Sequence, residues 1–256
     1  MPLMPGAEPF SREGGATGVL LCHGFTGTPQ SMRPWAEFLA DAGLSVLLPR
    51  LPGHGTTWQE MARTRWEDWF AEVDRALAQL RTWSDEIFVM GLSMGGCLAL
   101  RLAELHGQAI SGLVLVNPSV TADTRLFMLA PVLKLVIPSL KGIGSDIKKE
   151  QTSELGYDRT PVKAAATLPG LWRVTTEHLG EVSQPVLTYK SVTDHVVGPK
   201  SLELLRSRLP AGQLEVRELP DSYHVATLDN DAETIFTGSL EFVRTHSRAS
   251  RGSGRE

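Results

Sequence analysis

Ser93 stands between two glycines in Gly91-Leu92-Ser93-Met94-Gly95, directly after the apolar run IFVMG (87–91) and at the start of the helical pattern GGCLALRLAEL (95–105). A glycine-flanked serine at a strand-to-helix turn is the setting that lifts a hydroxyl above a sheet at the amino end of a helix. Such a turn strains the serine backbone, and Cβ atoms at 91 and 95 would crowd neighbouring elements. A serine hydroxyl is a weak nucleophile until a base takes its proton, and the base needs an acid to orient it. His224 follows the last predicted strand, in LPDSYHVATLD (219–229), and Asp194 ends the run PVLTYKSVTD (185–194). The three residues together predict acyl transfer through a covalent intermediate on Ser93. The oxyanion formed when Ser93 attacks a carbonyl needs two preorganised N–H donors. Met94 supplies the first, and Phe25 in CHGFTG (22–27) the second, with Gly24 and Gly27 letting that loop come close. The Phe25 side chain is expected to line the acyl pocket, with plain core packing as its competing role.

These residues need a frame. Runs at 18–25, 44–50, 86–93, 111–120, 185–194 and 214–220 read as strands, most of them continuously apolar, as in parallel strands buried on both faces. Between them lie patterns of helical period, such as 65–81, where Trp66, Trp69, Phe70, Val73, Leu77 and Leu80 form one sheet-facing stripe. The alternation predicts an α/β fold with a mostly parallel central sheet flanked by helices, its ligand site at the carboxyl ends of the strands. It fails between 121 and 184, where Pro131, Pro138, Pro161 and Pro169 break the helical turns. The expected organisation is a core of 1–120 and 185–246, an inserted cap of 121–184, and a Gly/Ser/Arg-rich disordered tail of 247–256.

Composition excludes several classes. A formal net charge of −4 leaves no broad positive field for nucleic acid. Two cysteines in apolar stretches, Cys22 and Cys97, read as small buried hydrophobes rather than a disulfide framework. No window approaches the length of a membrane span, and the amino terminus lacks the pattern of a signal peptide, so a soluble cytoplasmic protein is expected. No His, Cys, Asp or Glu set has the spacing of a metal site.

Other candidates have blander roles. His23 and His54 read as loop-bracing residues, and His195 as part of a turn after a strand, ranked below His224 as the base. His106, His178 and His246 suit surface or cap positions. Asp123 is the rival to Asp194, since it follows the 111–120 strand, and Asp221 reads as a turn-shaping residue. A Cys22–His23 nucleophile pair fails because adjacent strand residues face opposite ways.

The segments GVLLCHGFTGTPQSMRPWAEFLADAG, LPRLPGHGT, FVMGLSMGG, IGSD and DSYHVATLD resemble the bacterial carboxylesterase and monoacylglycerol lipase group of the α/β-hydrolase superfamily. The order Ser93, Asp194, His224 is the chain order of that superfamily. The resemblance implies the α/β-hydrolase fold, these three residues as the triad, Phe25 and Met94 as oxyanion donors, and a small cap over an acyl tunnel. It also implies that Glu154, in SELGYDRTP, holds the glycerol part of a substrate, with a solvated surface glutamate as the alternative. The apolar stretch 126–140 suits an acyl chain, a transient lipid-surface contact or a packed cap helix. The expected activity is hydrolysis of monoacylglycerols and short-to-medium-chain acyl esters, without a cofactor, by a monomer or weak homodimer. A general carboxylesterase or a thioesterase is the alternative.

Overall fold

Val19 and Leu21 face one side of the central sheet and Leu20 and Cys22 the other, and all four are fully buried. That two-sided burial explains the continuous apolar runs, because each face of each strand meets a layer of helices. The computed structural model describes residues 2–122, 137–142 and 145–247.

Nine strands are described. Seven form one sheet: β1 (Phe10–Arg12), β2 (Thr17–Cys22), β3 (Ser45–Leu48), β4 (Glu86–Leu92), β5 (Gly112–Val116), β8 (Val186–Ser191) and β9 (Leu214–Leu219). Their order is β1-β3-β2-β4-β5-β8-β9, with every pairing parallel except β1 with β3. The six strands expected from the sequence are all present, and the sheet is mostly parallel as expected. β1 was not foreseen, since a short polar edge strand carries no burial pattern. A separate antiparallel ribbon pairs β6 (Ser139–Lys141) with β7 (Arg159–Pro161).

Helix α1 (Arg33–Asp41) and the last helix, α8 (Ala232–His246), contribute to the apolar cluster on one face. Helices α3 (Trp66–Leu80), α4 (Met94–His106), α6 (Leu168–His178) and α7 (Lys200–Arg208) contribute to the cluster on the other. The short α2 (Trp58–Met61) and α5 (Val162–Ala165) complete the described helices. In α3 the expected stripe faces inward: Trp69, Val73, Leu77 and Leu80 are buried, and Trp66 and Phe70 pack at its margin.

The chain leaves β2 toward β3 on one side and returns to β4 on the other, so the carboxyl ends of β2 and β4 open a crevice between them. Ligands of parallel sheets bind at such a switch point. The Phe25 loop leaves the end of β2 and Ser93 follows the end of β4, so the topology alone brings them together. From the described part of the chain between β5 and β8, Tyr157 reaches the loop after β3, its hydroxyl donating to Gly53 O at 2.6 Å and accepting from Thr56 N at 2.9 Å.

Candidate active site

Ser93 has φ 57° and ψ −120°, a left-handed conformation that a side chain adopts only under constraint. The constraint comes from packing on both sides of the turn. A Cβ on Gly91 would lie 2.5 Å from Gly96 N, and one on Gly95 would lie 2.5 Å from the Cys22 carbonyl carbon and 2.7 Å from His23 O. Only glycine lets α4 begin this close to β2. Ser93 N donates to Val116 O at 2.9 Å, while its carbonyl accepts from Gly96 N and Ser119 N.

His224 is 6% exposed, and its Nδ1 lies 3.0 and 3.1 Å from the two carboxylate oxygens of Asp194. The protonated nitrogen of the neutral ring is thereby fixed as Nδ1, which leaves Nε2 free to accept. Asp194 also accepts from Val196 N, Val197 N and the Lys190 ammonium, the last at 2.6 Å. Burial pushes the Asp194 carboxyl upward, yet His224 and Lys190 outweigh it and hold the group well below the usual carboxylate range. From beneath, the fully buried Asn117 donates to His224 O and Ser191 Oγ and accepts from Ser191 N.

Phe25 and Met94 face the same space as Ser93 and His224. Gly24 packs against Ser93, where an added Cβ would stand 3.5 Å from the serine Cβ. The loop is braced by His23, which donates from Nδ1 to Gly24 O at 3.0 Å and accepts Leu51 N on Nε2 at 3.1 Å. Burial lowers the His23 pKa to about 4, so the ring stays neutral and keeps its accepting nitrogen. His54 is likewise buried, its ring edge-on to His23 and Trp69 and its Nδ1 bonded to Pro52 O. His23 thus braces the Phe25 loop and His54 its own loop, as the sequence suggested. The Phe25 ring packs on Trp69 and also lines the cavity, so it combines the two roles considered for it.

The cavity has a volume of about 130 Å³. Its apolar wall includes Ala122, Leu168, Trp172, Val197 and Val225, and Glu154 stands on its polar side. Glu154 keeps some exposed surface, but burial of its carboxyl group raises its pKa to about 7, against the opposing charge of His224 and a hydrogen bond with Ser31. The Gln30 side chain clasps this segment, donating to Ser153 O and accepting from Leu155 N. Five of the six residues singled out from the sequence, Phe25, Ser93, Met94, Glu154 and His224, therefore line one cavity, and the sixth, Asp194, stands behind His224.

His195 lies in a turn with its side chain 58% exposed, bonded to Asp146 rather than turned to Ser93. Asp221 accepts from Lys148 Nζ in a turn beside the His224 loop. Cys22 and Cys97 are buried free thiols. Asp123, the 126–136 part of the apolar stretch, Ile143 and Gly144 of IGSD, and tail residues 248–256 lie outside the described residues. Sequence reasoning missed the roles of Asn117, Ser31 and Lys190; Asn117 alone left a signal, a polar residue ending an apolar strand.

A mostly parallel sheet with a strained Gly-x-Ser-x-Gly turn at its switch point is built as the α/β-hydrolases are, and the molecule is of that class. The sequence model of the hydrolase family described as serine aminopeptidase, S33, matches residues 16–231, and the chain belongs to this family. It is 44% identical over 246 residues to the thermostable monoacylglycerol lipase of Bacillus sp. (strain H-257), covering 96% of this chain and 97% of that one. It is 25% identical to a carboxylesterase of Bacillus subtilis (strain 168), over 92% and 96% of the two chains. Among solved structures, one reported with the metagenome-derived lipolytic enzymes LipS and LipT superposes with a TM-score of 0.93 at 42% identity, over 96% of this chain and 100% of that one. The chain is thus a serine hydrolase of the carboxylesterase and lipase group.

Proposed function

We propose that this enzyme hydrolyses monoacylglycerols and short-to-medium-chain acyl esters through an acyl-enzyme on Ser93. The observation that carries the reading is a single cavity with Ser93 and His224 at its centre, apolar side chains along one wall and the Glu154 carboxyl on the other. An acyl chain suits the first wall and a polyol the second. The 44% identity to a monoacylglycerol lipase supports the same choice.

His224 Nε2 takes the Ser93 hydroxyl proton as Oγ attacks the ester carbonyl, and Asp194 stabilises the imidazolium through Nδ1–H. The N–H groups of Phe25 and Met94 hold the oxyanion; each donor of this kind contributes about 3 to 4 kcal/mol to lowering the barrier. The tetrahedral intermediate collapses, and the alcohol leaves with the proton held by His224. Water, deprotonated by the same nitrogen, then releases the acid. The inserted segment 121–184 acts as the cap, a reading supported by Ala122, Glu154, Leu168 and Trp172, which line the cavity. Glu154 accepts hydrogen bonds from the glycerol hydroxyls. Among the described residues no helix is long and apolar enough to cross a membrane. The buried free thiols support a reducing, cytoplasmic setting, and we propose a monomer or weak homodimer.

The experiment compares a 1-monoacylglycerol with the methyl ester of the same acid, for wild type and Glu154→Gln, between pH 6 and 8. Hydrogen bonds to a charged group contribute about 1.5 to 3 kcal/mol, so the variant should raise KM for the monoacylglycerol by about ten- to a hundredfold at pH 8. With the carboxyl titrating at about 7, the wild-type KM ratio of monoacylglycerol to methyl ester should fall as pH rises through that value, and stay flat in the variant. Equal effects on both esters would remove Glu154 from alcohol recognition.

A further inference from the structure

The ladder between β8 and β9 ends at Ser191 and Leu219, with one more bond from Val192 N to Leu219 O. Asp194 and His224 both lie beyond that point, on separate loops that no strand pairing holds in register. The two residues are joined by the bond they make with each other, which the reaction itself must use, and their loops touch where the His195 ring meets Tyr223 edge-on at 4.7 Å. A further link comes from the chain between β5 and β8. One oxygen of Asp146, Oδ2, accepts His195 N at 3.2 Å and His224 N at 3.1 Å. The other, Oδ1, meets His195 Nδ1 at 2.8 Å, and the Asp146 carbonyl accepts Val225 N at 3.0 Å.

We propose that Asp146 is a positioning residue of the triad, a carboxylate staple whose Oδ2 joins the backbone of the acid-bearing loop to that of the base-bearing loop. The proposal rests on the reading of Asp194 and His224 as partners of Ser93. A carboxylate oxygen carries two lone-pair sites, so one oxygen takes an N–H from each loop and sets their separation. The Asp146 side chain is only 13% exposed, which shields these bonds from competing water. The staple is itself anchored. Lys148 N and Lys149 N donate to the two oxygens of the buried Asp229 at 2.7 and 2.8 Å, and the same Asp229 accepts Tyr223 N at 2.8 Å. Lys148 Nζ reaches Asp221 at 2.6 Å, on the far side of the His224 loop. The strap 145–149 thus lies along the 221–229 loop with contacts at both ends, and Asn117 holds the same loop from below. Asp146 acts on the reaction through His195 N and His224 N, so its loss moves the base relative to the acid while leaving Ala122, Leu168 and Trp172 of the acyl wall in place.

The test uses the full-length enzyme with Asp146→Ala, Asp146→Asn, His195→Ala and His224→Ala, assayed on p-nitrophenyl butyrate below the melting range of each. A displacement of about 1 Å at a reacting group costs on the order of 10²-fold in rate. Asp146→Ala should therefore lower kcat by about ten- to a hundredfold with KM within about twofold, and should broaden or shift the downfield proton resonance of His224 Nδ1–H. Asp146→Asn keeps an accepting oxygen for the two N–H groups and should restore most of kcat and the resonance. His195→Ala leaves Oδ2 in place and should retain kcat. Wild-type kcat and resonance in folded Asp146→Ala, or a loss confined to its thermal stability, overturn the proposal. Equal losses in Asp146→Asn overturn it as well, by tracing the effect to charge. Failure of the underlying triad reading has a separate signature, namely retained kcat in His224→Ala.

Discussion

Gly95→Ala is a one-methyl change with a consequence set by the geometry of the Ser93 turn. The added Cβ would clash hardest with the Cys22 carbonyl oxygen and would lie 2.5 Å from its carbon, where ordinary van der Waals contact begins at 3.4 Å, so the start of α4 and the end of β2 must part by at least about 1 Å. Both neighbours are backbone, which cannot rotate aside as a side chain can. Ser93 rides on one of the separated elements and the Phe25 loop on the other, so the gap opens between nucleophile and oxyanion donor. At about 100-fold per ångström of misplacement, kcat/KM should fall by roughly that factor. Overpacking of this kind costs about 1 to 3 kcal/mol, which lowers Tm by about 2 to 12 °C in a chain of this size. The assay is hydrolysis of p-nitrophenyl butyrate at 25 °C, with active sites titrated by an organophosphonate, beside a circular-dichroism melt. Wild-type kcat/KM together with a wild-type Tm would refute the claim that Gly95 sets the spacing of the site.

Two further variants test charges outside the cavity. Glu104, in α4, is pushed up to about 7 by burial, which its bond to Arg101 only partly offsets, so the folded state holds a proton that the unfolded chain has lost. The raised value destabilises the fold as pH climbs from 4.5 to about 7, by at most about 3 kcal/mol. Urea midpoints of Glu104→Gln should therefore vary less than those of wild type between pH 5 and 8, and parallel curves would contradict this. Lys190 supports the depressed Asp194 carboxyl, whose stabilising effect is present above the unfolded value of 3.8 and is lost as pH falls toward the lower folded one. Removing one partner of a buried ion pair costs about 3 to 5 kcal/mol. Lys190→Met should lower the urea midpoint at pH 7 and move acid unfolding to higher pH; an unchanged acid transition would show that Lys190 does not hold the charge of Asp194.

The sequence disclosed the parts of the molecule whose causes are local. Two-sided burial writes itself as apolar runs, so the six longer strands were legible, and the Gly91–Gly95 turn announced its strain through its glycines. β1, β6 and β7 are too short to show a period, and their pairing depends on partners distant in the chain. The site divides in the same way. Ser93, Asp194 and His224 follow ends of predicted strands and could be placed by position alone. Asp146, Asn117 and Ser31 act across separations of 78, 107 and 123 residues, so only the folded backbone brings them to His224 and Glu154. Asp146 stood within a motif that marked resemblance, but an aspartate in a polar stretch has the same local look whether it staples two loops or faces water.

That Ser93 carries the acyl group is tested by steady-state hydrolysis of monoacylglycerols with acyl chains of two to eighteen carbons by wild type and Ser93→Ala. Loss of a nucleophile of this kind costs about 10⁶ in kcat, so wild type should turn over with an optimum in chain length set by the apolar wall, and the folded variant should have no measurable activity. Wild-type-like turnover by purified Ser93→Ala would contradict it.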